Sequence, residues 1–237
     1  MSNIYNDGSY LAANPSWHLS DSAWKAEEVN KILKKNNIYP NTFVEIGCGS
    51  GGIIVHLSTI YSEAIFHGFD ISPQAFEISK KFITNKVSFT LGDYFQAEKQ
   101  NYDLAICADV FEHVDDYLGF LRSISAVQKL TVFHIPLDLS LASSLFPSIL
   151  TRTRELVGHL HYFNKSTAEM TLRDCGFKII DSQITAGCLK FPEPGFKGQI
   201  FWILRKLIFK LSPKLAAQTL GGFSLMVLAS SEVSLNN

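Results

Sequence analysis

The segment Thr42–Gly52 limits what this chain can fold into more than any other. Thr42-Phe43-Val44-Glu45-Ile46 is an apolar run of strand length. It passes without a spacer into Gly47-Cys48-Gly49-Ser50-Gly51-Gly52 and then into the apolar stretch Ile53-Ile54-Val55. Glycines there let the backbone reverse within a few residues, and they let a ligand approach main-chain amides that a Cβ would cover. Gly47, Gly49 and Gly52 satisfy a GxGxxG spacing, so a strand–loop–helix unit with a ligand at its turn is the first expectation.

The sequence around it repeats the same alternation. Strand-length apolar runs at Phe43–Ile46, Ala64–Phe69, Val87–Leu91, Leu104–Ala108 and Leu130–Ile135 are separated by helix-like stretches at Gly51–Thr59, Pro73–Lys81 and Tyr117–Val127. Such alternation reads as βαβ units and a parallel sheet. Ser20 or Asp21 can cap a preceding helix through Lys35, with Trp24, Val29, Ile32 and Leu33 facing inward. Later come a helix from Ser166, with Glu169 at capping-box spacing, then strands Phe177–Ser182 and Gly222–Ala229. No repeat or low-complexity linker marks a boundary. One domain is therefore expected over 1–237, with a helical cap or lid at 1–40, a ligand-binding core at 41–183, a helical insertion at 184–220 and the last strand at 221–230.

Three acids narrow the ligand. Glu45 sits two places before the first glycine, where a carboxylate suits an ammonium or sulfonium better than a pyrophosphate. Asp70 ends the second strand, where a carboxylate can accept from both hydroxyls of a ribose, and Asp93 follows the third. The order EIGCGSG, GFDIS, LGDYF and YDLAICADVFEHVDD resembles the Rossmann-like methyltransferases that act on small molecules. The run Phe111-Glu112-His113-Val114 is similar to one common in enzymes of the ubiquinone-biosynthesis type. The resemblance covers roughly Phe43 to Ser182. It implies a doubly wound, mostly parallel seven-stranded α/β sheet with an antiparallel last strand and helices on both faces. It also implies S-adenosyl-L-methionine as cofactor. Glu45, Gly47, Gly49, Ser50 and Gly51 would embrace its methionine part, Asp70 and Ile71 its ribose, and Asp93 and Tyr94 its adenine, with Ala108 and Asp109 beside the reacting methyl. A nicotinamide-dependent oxidoreductase is the alternative for the glycine loop, but a Tyr-x-x-x-Lys hydride-transfer dyad is not recognisable. A domain that binds the cofactor as a sensor or scaffold without transferring the methyl is another.

For the acceptor side, the C-terminal ends of the strands select Asp109 and His113 after strand four and His134, Pro136 and Asp138 around strand five. His159, His161 and Tyr162 precede the late helix. His113 and His161 are the expected general bases, acting on an oxygen nucleophile of a small molecule. His134, inside an apolar strand, also reads as a satisfied core residue. Asp115 and Asp116 read as helix-start residues, and with no metal-ligand spacing in the chain no metal is expected. Trp17 and His18, within Tyr10–Trp24, are candidates to close over the cofactor.

Composition removes some classes. With 21 basic and 22 acidic residues and a formal charge of −1, a broad basic face for nucleic acid is not expected. After strand four stands Ala108-Asp109-Val110-Phe111 in place of the Asn/Asp-Pro-Pro-Tyr/Phe run of base-modifying relatives. The four scattered cysteines and the start MSNIYNDGSY fit a reduced cytoplasmic setting without a signal peptide. Residues 199–211 are strongly amphipathic, with Ile200, Ile203, Leu204, Leu207, Ile208 and Leu211 on one stripe and Arg205, Lys206, Lys210 and Lys214 nearby. Packing against the sheet or over the site, a homodimer contact, and peripheral contact with an anionic membrane are its three readings.

Overall fold

The computed structural model describes residue 17 and residues 19–98, 100–191 and 195–233. Residues 1–16 and His18, and with them most of the expected lid, lie outside the described residues. Helix α1 (Leu19–Lys35) leads into β1 (Thr42–Ile46), α2 (Gly52–Ile60), β2 (Ile65–Asp70), α3 (Pro73–Ser79), β3 (Val87–Leu91), β4 (Leu104–Ala108), α4 (Tyr117–Val127) and β5 (Leu130–Pro136). There follow α5 (Leu141–Leu145), α6 (Ser148–Val157), α7 (Lys165–Asp174), β6 (Phe177–Thr185), α8 (Gly187–Lys190), α9 (Phe196–Leu211), α10 (Pro213–Leu220) and β7 (Ser224–Ser231).

The seven strands form one sheet in the order β3-β2-β1-β4-β5-β7-β6. β1 to β5 pair in parallel, and β7 runs antiparallel between β5 and β6. This is the expected doubly wound α/β architecture with an antiparallel last strand. The central strands are mostly apolar because helices cover both faces. Phe43, Leu104, Ile106 and Val132 are buried on the side of α1 and α2, with Ile32, Leu33, Ile54 and Leu57. Val44, Ala105, Cys107 and Phe133 are buried on the other side, with Leu121 and Ile124 of α4 and Ala168 and Leu172 of α7. The chain leaves β1 towards β2 on one side and returns to β4 on the other. The C-terminal ends of β1 and β4 therefore flank the crevice where such sheets take ligands.

Several details differ from expectation. Helices α5 and α6 fill a stretch in which the sequence shows no core-facing period, and α6 buries none of its side chains. Their signal is local instead: Ser140 caps α5 through a box with Ser143, and Pro147 precedes α6. Helix α7 is capped by Asn164, whose side chain accepts from the Thr167 amide while the Thr167 hydroxyl accepts from the Asn164 amide, so the box is two residues earlier than Ser166 and Glu169. Asp116 caps α4 by accepting from the Gly119 amide at 2.9 Å, the helix-start role expected for it.

Candidate active site

The loop after β1 is held in shape by the backbone of β2. The Gly47 and Cys48 amides both donate to the Phe69 carbonyl, at 2.8 and 2.9 Å. Gly49 and Gly51 adopt φ of +52° and +78°. A Cβ on Gly51 would lie 2.3 Å from the Phe89 ring, whereas one on Gly49 would meet only Trp17, at 3.7 Å. Gly51 thus shapes the turn from behind, and Gly49 presents bare backbone to the crevice.

In front of the loop lies a cavity of about 540 Å³, within the roughly 300–1,000 Å³ typical of small-molecule sites. Glu45, Gly47, Gly49, Ser50, Asp70, Ile71, Asp93, Tyr94, Ala108, Asp109 and His113 all line it. Gly51 stands behind the wall, and His161 is not part of the lining. Trp17 and Trp24 line it too, Trp17 beside the loop, where the Ser50 hydroxyl donates to its carbonyl at 3.1 Å.

The acids on the β1–β3 side differ in their electrostatics. Glu45 is 2% exposed and its Oε2 has no hydrogen-bond partner. Burial pushes its carboxyl up to about 8, despite Lys25 nearby. Asp70 accepts from the Gly49 amide at 2.7 Å and the Ser72 amide at 2.8 Å. Burial raises its carboxyl above the ordinary value, and those amides hold it back. One lone pair on each Asp70 oxygen is thereby used, leaving capacity for two hydroxyls. Asp93 caps a short 3₁₀ turn, accepting from the Phe95 amide at 3.0 Å. The Tyr94 hydroxyl accepts from the Gln128 side chain.

The β4–β6 side is a chain of side chains. The Lys25 ammonium of α1 lies 2.7 Å from Asp109 and 3.0 Å from Asp21. Asp109, in the left-handed region at φ +54°, also meets His134 Nδ1 at 2.8 Å. His134 Nε2 meets the Thr185 hydroxyl at 3.0 Å. Burial works against both charges, yet His134 and Lys25 hold Asp109 well below the usual carboxylate range. The carboxylates of Asp109 and Asp21 likewise hold Lys25 above its ordinary value against its burial. His134 is thus the satisfied residue its apolar strand suggested, although it also lines the cavity.

Beyond Asp109, Glu112, His113 and His159 come together. The Leu160 and His161 amides both donate to the Glu112 carbonyl, which brings the loop before α7 onto the turn after β4. The Glu112 side chain is fully buried and neither carboxyl oxygen has a hydrogen-bond partner. Burial, and then the charge of Asp109, push it well above the ordinary value. His113 Nδ1 pairs with the Gly158 carbonyl at 3.1 Å, and His159 Nδ1 with Asp138 at 2.7 Å. One donor atom from each of Glu112, His113 and His159 lies within 4.8 Å of the others. A carboxyl with two imidazoles, each imidazole fixed through its outer nitrogen, is a set able to hold a divalent cation. His161 Nε2 is instead 2.9 Å from the Val114 carbonyl, and its ring lies on Tyr117 at 4.2 Å.

Lys25, Glu112 and Thr185 did not stand out in the sequence. Lys25 lies in an ordinary amphipathic helix and Thr185 at a strand end. Glu112 alone carried a signal, its place beside His113 in the run after strand four.

The chain matches the family model described as "Methyltransferase domain" over residues 17–182. It is 27% identical over 135 residues to norajmaline N-methyltransferase of Rauvolfia serpentina, covering 52% of this chain and 46% of that protein. It is 27% identical over 127 residues to the ubiquinone biosynthesis O-methyltransferase of Vibrio campbellii, covering 50% and 53%. The chain therefore spans about half the length of the curated relatives it matches. In fold it is similar to the magnesium protoporphyrin IX methyltransferase of Synechocystis, solved with S-adenosylhomocysteine, at a TM-score of 0.56 and 16% identity over 88% of this chain and 83% of that one. A cyclopropane synthase of Mycobacterium tuberculosis shares the fold at a TM-score of 0.60 and 13% identity, over 86% and 84%. Because the family model covers residues 17–182 of 237, the chain belongs to the methyltransferase-domain family, whose cofactor is S-adenosylmethionine.

Proposed function

We propose that the chain transfers a methyl group from S-adenosylmethionine to an oxygen nucleophile of a small molecule. The observation that carries this is one cavity joining the Gly47–Ser50 loop, and the buried Glu45 whose Oε2 has no hydrogen-bond partner, to His113, His134 and His159. The residues present fit the cofactor. The Gly49 backbone is open to the cavity, Asp70 has accepting capacity for two ribose hydroxyls, and the Glu45 carboxyl suits an ammonium. Asp93 and Tyr94 line the same cavity, and on this reading they meet the adenine. When bound, the cofactor supplies an electrophilic methyl carbon on a sulfonium leaving group.

What this chain's residues then do is orient the acceptor and take its proton. His113 donates through Nδ1–H to the Gly158 carbonyl, which assigns the lone pair to Nε2. Of the two expected bases, His113 is the one that lines the cavity. Replacing it with Ala lowers turnover about 10²–10⁴-fold with cofactor affinity kept, read by product formation and by calorimetric titration. Intact cofactor binding with no turnover on any metabolite pool would instead make the chain a sensor.

The Glu112–His113–His159 cluster favours a second reading, in which a divalent cation held there activates the acceptor oxygen as a Lewis acid. The two readings part on His159→Ala and on chelation. A cation makes His159 as important as His113 and makes the activity sensitive to a chelator, whereas a His113 base leaves the chelated protein active. Among the described residues no helix is long and apolar enough to cross a membrane. None of the four cysteines is joined in a disulfide, which suits the reducing cytoplasm.

A further inference from the structure

Helix α9 lies between β6 and β7 and turns its more apolar stripe outward. Its inward face is fastened by three contacts. The Phe209 ring stacks on Phe223 at 5.3 Å, Trp202 Nε1 donates to the Leu189 carbonyl at 3.0 Å, and Arg205 reaches the Leu220 carbonyl at 3.5 Å. Outward stand Ile200, Ile203, Leu204, Leu207 and Leu211, at i, i+3, i+4, i+7 and i+11, on one side of the helix. Leu207 is 56% exposed and Leu211 83%. A continuous aliphatic stripe three turns long is not left in water without an occupant.

Charge says which occupant. From Gly195 to Ser231 the chain has no Asp or Glu, yet it carries Lys197, Arg205, Lys206, Lys210 and Lys214, in a protein whose net charge is −1. The Lys206 ammonium sits 4.6 Å from the centre of the Trp202 ring, with Lys210 one turn further on. A second copy of this chain joined through the same face would set these cations against their like across a two-fold axis. An acidic surface meets both the stripe and its basic border.

We propose that the outward face of α9 docks on an anionic lipid bilayer, lying in the plane of its surface with the leucines and isoleucines in the acyl boundary. The cavity is tied to this face. Phe191 lines it, and the Leu189 carbonyl two residues earlier holds Trp202 of α9. Docking thus holds α8, and with it one wall of the cavity, against the inward face of the helix that lies on the bilayer.

The test is co-sedimentation of the whole chain with vesicles of mixed phosphatidylcholine and phosphatidylglycerol, beside vesicles of phosphatidylcholine alone. It needs neither cofactor nor acceptor, so its outcome is independent of methyl transfer. Binding is expected only with phosphatidylglycerol, weakened about tenfold by Lys206→Glu with Lys210→Glu and about tenfold by Leu207→Asp, with thermal melts unchanged at these exposed sites. No binding at low salt overturns the proposal, as does binding that both variants leave untouched. A dimer in sedimentation equilibrium that Leu207→Asp turns into a monomer also overturns it, because a second copy then covers the face.

Discussion

Along the β1–β3 side of the cavity, the facing groups are the glycine backbone of one loop and carboxyls at the C-terminal ends of consecutive strands, Glu45, Asp70 and Asp93. Along the β4–β6 side they are side chains from α1, from β5 and from the loops after β4 and before α7, with Thr185 of β6 behind His134. Lys25, Asp109, His134 and Thr185 form one chain there, and Glu112, His113 and His159 another cluster. The first wall is set by backbone shape and fails when a Cβ is added. The second is set by compensated charge and fails when one partner is removed. On the proposed reading, ligand binding that depends on shape and chemistry that depends on protons are kept in different materials on either side of one cavity.

The largest expected effect is on the side-chain wall. Asp109→Ala leaves Lys25 buried with Asp21 as its remaining carboxylate and takes the Nδ1 partner from His134. Breaking such a buried pair costs about 3–5 kcal/mol, measured by urea denaturation. Lys25→Met added to Asp109→Ala is expected to recover part of the loss, since the charge then has no need of a partner. If the double variant is simply additive, the two residues do not act as one unit.

On the backbone wall, Gly51→Ala comes next. An alanine held at φ +78° costs about 1–2 kcal/mol, and its Cβ would stand 2.3 Å from the Phe89 ring. A total of about 2 kcal/mol or more, together with weakened cofactor binding, is the expected result in melts and calorimetry. A variant of full stability and affinity would show that the loop is not shaped by Gly51.

This difference in materials also decided what could be read from the chain. The backbone wall is contiguous: strand, glycines and acids follow each other at fixed intervals, and all of the expected cofactor residues but Gly51 reach the cavity lining. The sheet was legible for the same reason, because burial on both faces makes its strands continuous apolar runs. Lys25 and Thr185 lie 84 and 76 residues from Asp109 in no motif at all, and only folding brings them to one site. Helices α5 and α6 escaped because exposed helices have no core-facing period. The stripe of α9 was visible, but which of its sides met the protein was fixed by Trp202, Arg205 and Phe209 rather than by the apolar count.

Glu45 sharpens the comparison through pH. An unfolded Glu45 gives up its proton near the ordinary 4.5, whereas the folded one keeps it up to about 8. Between those values the folded state binds the extra proton, so its contribution to stability falls as pH rises through the window. Glu45→Gln, which has no proton to lose, flattens that decline in a series of melts. A bound ammonium favours the ionised carboxyl, so cofactor affinity is expected to rise with pH towards about 8, with a proton released on binding. Glu45→Gln is expected to lose that pH dependence and about tenfold in affinity, or about 1.4 kcal/mol. Unchanged proton release in the variant would take Glu45 out of the cofactor site.

The smallest effect is expected at His161, and it tests where the second wall ends. Sequence spacing makes His161 as good a base as His113, but its Nε2 is bound to the Val114 carbonyl and its ring rests on Tyr117, away from the cavity lining. His161→Ala should therefore cost about 1 kcal/mol, the worth of one hydrogen bond, and leave turnover and its pH profile as they were. Val114 does line the cavity, so a shift in its backbone could raise KM slightly without touching kcat. A loss of kcat with stability and cofactor affinity intact would mean that His161 positions the Val114 turn for the reaction. The side-chain wall would then reach one layer further from the cavity than its lining, with His161 acting on the acceptor through a residue that touches it.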